Sequence, residues 1–150
     1  MKPFLILIVV SIPALIFIKI NTGNYDYAFS ARIGMSAMLF FTALGHFMYA
    51  DGMALMVPDF IPFKKEVIIL TGIIEVFGAF ALHFSEYRVV VAWLLILFFI
   101  AILPSNIKAA LENINYQKAT YDGPGLVYLW FRVPLQIFFI VWIYLSAIRV

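Results

Sequence analysis

Apolar residues in this sequence are gathered into long runs, with polar and charged residues between them. A helix needs roughly 20 apolar residues to cross the hydrocarbon of a bilayer, so the length of each run carries more information than its periodicity. Five runs qualify: about 3–20, 28–49, 66–84, 89–108 and 126–148. Backbone N–H and C=O groups in lipid have to be satisfied within the segment, so each run is predicted to be a helix. The first run, flanked by Lys2 and Lys19, has the length of a signal peptide, but no small-x-small cleavage pattern follows Ile18 and an anchor helix is expected. The segment 50–65 contains Pro58 and Pro62 and is too short to span; it is expected at the membrane surface as a loop. The connection 111–124, with Asn113, Asn115, Asp122 and Gly123, reads as a solvated loop, and no linker divides the chain, which is expected to be a single membrane domain over 1–150.

Composition agrees with the runs. Of 150 residues, 65% are hydrophobic and 12% charged, about half the charge of a soluble domain. The net charge of +2 is spread out and leaves no basic footprint for nucleic acid, so the expected partners are the lipid bilayer and other membrane proteins. The absence of cysteine removes disulfides, thiolate metal sites and iron–sulfur ligation by this chain. Lys2, Lys64, Lys65, Lys108 and Lys118 fall on one side and Lys19, Arg88 and Arg149 on the other, which favours a cytoplasmic N-terminus. Tyr25, Tyr27, Tyr87, Tyr116, Tyr128 and Trp130 lie near run boundaries and are expected to act as interfacial anchors.

Helix parity gathers the polar residues inside the runs. The second and fourth helices end on the side where the third and fifth begin, so His46, Glu75, Asn106, Arg132 and Gln136 share one half of the membrane. At about 1.5 Å per residue, Arg132 lies roughly 9 Å along its helix, Glu75 roughly 13 Å and Gln136 roughly 15 Å. These five residues form the candidate polar pocket. Glu75 has to pair, meet water or be protonated, and Arg132 is its expected partner. Arg132 and Gln136 lie on one helix face, and Pro134 between them frees the carbonyl of Trp130. His83 belongs to the opposite half, so a bis-histidine haem within the chain is not expected, and neither is a metal site. The methionines read as packing, and Gly34, Gly45, Gly72 and Gly78 as points of close helix approach.

The order of these features resembles the DoxX-like family of small bacterial integral membrane proteins. The resemblance runs from Arg32 and Gly34 through Gly45-His46-Phe47, Pro58, Pro62, Gly72, Glu75 and Leu103-Pro104-Ser105-Asn106 to Arg132-Val133-Pro134-Leu135-Gln136 and Trp142. It implies an all-α membrane protein: a four-helix transmembrane bundle, here with an additional N-terminal helix for five in total, in a bacterial inner membrane. It further implies a subunit or accessory of a membrane redox or oxidative-stress system, with other redox subunits as partners, and quinone as the ligand class that Arg132, Gln136 and His46 would suit. Two other readings stay open: a non-catalytic scaffold in which the polar residues only lock helices together, and a small proton-linked transporter centred on Glu75, completed as a homo-oligomer.

Overall fold

The computed structural model describes residues 2–150. Every apolar run is helical, and the chain forms seven α-helices: α1 (Lys2–Thr22), α2 (Tyr27–Met48), α3 (Ala50–Met56), α4 (Lys64–Ala81), α5 (Arg88–Ala101), α6 (Leu103–Leu111) and α7 (Val127–Ile143), with a π-helical turn at Tyr144–Ile148. The fold is all-helical; the one β-type pairing among the described residues is an isolated bridge between Asn115 and Thr120 in the α6–α7 connection. Four helical stretches are long and apolar enough to cross a membrane: Lys2–Thr22, Tyr27–Met48, Arg88–Leu111 and Val127–Ile148. The other expected run is α4, whose 18 residues include the four charges Lys64, Lys65, Glu66 and Glu75.

Three differences from the sequence reading have local causes. The membrane-surface loop 50–65 contains the short helix α3, which packs through Ala50 and Val57 against Ile68 of α4. The fourth run is broken at Ile102, because Pro104 enters the next turn without an N–H and the chain resumes as α6 on a new axis. The fifth run ends in a π turn, where Arg149 N–H donates to Tyr144 O at 3.0 Å.

α2 is the central element and packs against α1, α3, α4, α7 and the π turn. Its buried face carries Met35, Met38, Leu39 and Ala43, and the first three join Leu7, Ala79, Leu82, Leu95, Phe99, Phe139 and Ile143 in the main core. α1 packs mainly on α2, with Phe4 edge-on to Phe138 of α7, and the contact with α2 depends on Gly34: a Cβ there would lie 2.6 Å from the carbonyl of Leu7 and overlap the Ser11 hydroxyl. Gly72 does the same between α2 and α4, where a Cβ would sit 3.0 Å from His46 Cβ and 3.1 Å from the Phe47 ring. The remaining surface is densely apolar, with Val9, Phe17, Ile20, Phe77, Leu97 and Val127 exposed, as lipid-facing helices require.

Candidate functional site

The helices leave a cavity of about 450 Å³, lined from all seven of them, at the end of the bundle where α2 finishes and α7 begins. That volume lies within the range of small-ligand sites. All five sequence candidates line it: His46, Glu75, Asn106, Arg132 and Gln136. The apolar wall is Met38, Phe41, Leu135, Phe99 and Phe139, and Lys2 of α1 and Tyr116 and Gln117 of the α6–α7 connection stand at the same cavity. The five residues that helix parity assigns to one half of the membrane thus come together in the structure.

It misassigns the pairing. Arg132 is not the partner of Glu75; the basic group within 4 Å of that carboxylate is His46, whose Nε2 lies 3.6 Å from Glu75 Oε2. The reason is rotational. Arg132 points back along α7 toward its own i−4 neighbour, and its guanidinium stacks 4.8 Å from the centre of the Tyr128 ring. Half-buried there, the cation stays near the cavity mouth instead of reaching the depth of Glu75.

The close approach at Gly72 sets the state of His46. Its Nδ1 is 2.8 Å from Thr71 Oγ1 and 3.2 Å from the carbonyl of Ile68. Thr71 gives its hydroxyl proton to the same carbonyl at 2.7 Å, so both neighbours of Nδ1 are acceptors and Nδ1 carries a proton. Nε2 then meets Glu75 either as a lone pair facing a protonated carboxyl or as an imidazolium facing a carboxylate. A lone pair opposite a carboxylate would be repulsive in this low-dielectric site. At 3.6 Å the two atoms are too far apart for a hydrogen bond, so a proton carried by either member is not shared between them. Glu75 is only 3% exposed, Thr42 stands beside it, and its Oε2 has no hydrogen-bond partner within normal reach. A buried carboxyl oxygen left open toward a cavity costs free energy unless something else meets it.

A second polar line crosses the cavity. Tyr128 OH donates to Asn106 Oδ1 at 3.5 Å, Asn106 Nδ2 donates to Gln136 Oε1 at 3.4 Å, and Gln136 Nε2 donates to the carbonyl of Phe99. The first two contacts are long for hydrogen bonds, so these groups retain capacity for another partner. The helix break at Ile102 turns Asn106 toward α7, and the position of Gln136 one turn beyond Arg132 aims it at the α5 backbone. Sequence reading missed Thr71, Thr42 and Tyr128. All three were visible in principle, each lying four residues before a candidate, Thr42 before His46, Thr71 before Glu75 and Tyr128 before Arg132, and so on the same helix face. Tyr128 reaches the cavity only through Asn106, whereas Tyr116, also read as an interfacial anchor, lines it directly.

His83 lies at the opposite end of the bundle, its Nε2 2.9 Å from Ser36 Oγ, so the two histidines are separated across the fold. Among the described residues no group of three His, Asp or Glu side chains could hold a metal ion. Outside the helices, Lys108 Nζ reaches the carbonyl of Val57 at 3.1 Å and Asp59 Oδ1 at 2.7 Å, tying the α3–α4 connection to α6 beside the cavity. Comparison with curated proteins and with solved structures finds no match. Residues 35–147 match the family described as a domain of unknown function (DUF8561), and the chain belongs to that family.

Proposed function

We propose that the chain is a DoxX-like membrane bundle of five spanning helices, with α4 as the fifth, whose cavity binds a quinone or a similar flat, carbonyl-bearing ligand for a membrane redox or oxidative-stress system. At about 27 Å for 18 residues, α4 nearly matches the hydrocarbon thickness, and its Glu75 faces the interior instead of lipid. The observation that carries the reading is the unpartnered Glu75 Oε2, hydrogen-bond capable and buried against an aromatic-walled cavity. A quinone head group offers two carbonyl oxygens. His46, Asn106, Gln136 and Arg132 can all donate to such oxygens, and Phe99, Phe139 and Phe41 can pack the ring. A proton carried by His46 or Glu75 would lie beside the ligand, ready for transfer to a reduced oxygen. Electrons would come from a partner subunit, because the cysteine-free chain has no thiolate to ligate an iron–sulfur centre. With the N-terminus inside, Lys2 and the cavity mouth face the cytoplasm.

Mass spectrometry of small molecules retained by gently purified protein tests this reading. Stoichiometric quinone in the wild type, reduced in Glu75→Gln and Gln136→Leu with melting unchanged, is the expected result. Bulk phospholipid alone in all three would replace the reading with a scaffold in which the polar groups only fix helix packing.

A further inference from the structure

The polar groups deeper in the cavity have one another as neighbours, and the cations at its mouth do not. Arg132 of α7 and Lys2 of α1 line the same cavity. The guanidinium carbon of Arg132 lies 4.8 Å from the centre of the Tyr128 ring, while the Tyr128 hydroxyl is directed to Asn106. A ring face orients the cation and consumes none of its N–H donors. Lys2, at the start of α1, is exposed at the opening.

No acid answers these charges. Among the described residues no carboxylate lies within 4 Å of Arg132 or Lys2. Acids in the connections at this end are held by other lysines: Asp51 by Lys65 at 2.8 Å, and Asp59 by Lys64 at 2.6 Å and Lys108 at 2.7 Å. Glu75 is the one carboxylate on the cavity wall, and the base within 4 Å of it is His46. A guanidinium does not shed its proton, so the half-buried Arg132 gives the mouth a fixed positive charge that water screens only in part. Such a mouth favours a ligand of opposite sign.

We propose that the ligand of this cavity is an acid: a flat, carbonyl-bearing ring with a carboxylate or equivalent oxyanionic substituent that meets the Arg132 guanidinium, while Lys2 adds its charge at the mouth. The fork of N–H donors on a guanidinium matches two oxygens of such a group. Phe41, Phe99 and Phe139 take the ring, so different residues read the two ends of the ligand. The proposal rests on the reading of the cavity as a site for quinone-like rings and narrows it to those that carry negative charge.

The test compares two probes that differ by one charge, a methylnaphthoquinone bearing a propanoate side chain and the methyl ester of the same compound. Each is titrated by fluorescence quenching into the full-length protein in uncharged detergent. The wild type should bind the acid about tenfold more tightly than the ester at low ionic strength, and added salt should shrink that ratio. Arg132→Gln and Lys2→Gln should each reduce the ratio, chiefly by weakening the acid. Lys65→Gln, off the cavity wall in its pair with Asp51, should keep it. Acid and ester bound equally by the wild type would overturn the proposal and leave the quinone reading standing, with Arg132 and Lys2 serving lipid headgroups. A preference that survives both cavity variants, or that Lys65→Gln reduces as much as they do, would overturn it in the same way. Saturable binding of neither probe would overturn both. Lys2→Gln keeps the test decisive should Arg132→Gln fail to fold, since Lys2 is exposed.

Discussion

The two ends of this bundle handle buried polarity in opposite ways. At one end an acid and a base, His46 and Glu75, meet over a cavity, and Asn106, Gln136 and Tyr128 reach one another only at 3.4 to 3.5 Å. At the other, short bonds run from side chains to backbone: Arg32 to Ser146 O at 2.7 Å, Ser36 to Ala79 O at 2.7 Å, and Trp142 Nε1 to Ala31 O at 3.0 Å. The second arrangement ties α2, α4 and the chain terminus together. Both ends leave buried atoms unpartnered, Glu75 Oε2 at the first and Arg32 Nε and Arg88 Nε at the second, but only the first sets its long side-chain contacts around a cavity. Polar residues in membrane helices thus divide into those that close a fold and those that keep a site open, and the difference is visible in their partners more than in their burial.

Variants at each end should separate the two roles. The largest effect on stability is expected at the closed end: Arg32→Gln loses a charge-assisted bond to Ser146 and should cost about 2 kcal/mol in detergent unfolding. An unchanged unfolding midpoint would erase the contrast. At the open end, Glu75→Gln preserves shape and can still donate to His46, so it should leave stability nearly unchanged while weakening quinone binding about tenfold, or about 1.4 kcal/mol. A double-mutant cycle sharpens this: losses of affinity for Glu75→Gln and His46→Gln should be strongly non-additive, and those for Glu75→Gln and Arg132→Gln additive within about 0.5 kcal/mol.

A smaller effect is expected from Thr71→Val, which removes one of the two acceptors holding the proton on His46 Nδ1. It should weaken binding about threefold, or about 0.6 kcal/mol, and shift the pH dependence of binding. An unaltered pH profile would detach Thr71 from the site. The smallest concerns the exposed clamp beside the cavity. Hydrogen bonds from Lys108 and Lys64 hold the Asp59 carboxyl down at about 2 from its usual 3.8. A depressed carboxyl stabilises the fold fully above its unfolded value and loses that contribution as pH falls toward its folded value. Asp59→Asn should therefore be indistinguishable from wild type below pH 2 and show at most a slight loss of stability above pH 4, given how exposed the group is.

Depth was readable from the sequence and direction was not. Rise per residue is nearly constant along a helix, so parity and counting place His46, Glu75, Asn106, Arg132 and Gln136 in one half of the membrane, and they line one cavity. Rotation about each helix axis depends on neighbours. Gly72 draws α2 onto α4 and delivers His46 to Glu75, while Tyr128 captures Arg132, and neither contact follows from the spacing of charged residues. Pro104 announced a disturbance in the fourth run, but the turn of Asn106 toward Gln136 depends on how α6 packs after the break. The seven-residue α3 lay hidden because a helix of two turns leaves too little periodicity to read.

Equilibrium titration of the purified protein with a short-chain benzoquinone, followed by quenching of intrinsic fluorescence in wild type and Glu75→Gln at matched folding, tests the central claim most directly. Saturable binding in the wild type, weakened about tenfold in the variant, is the predicted result. Linear, non-saturating quenching that is the same in both proteins would contradict a ligand site at Glu75.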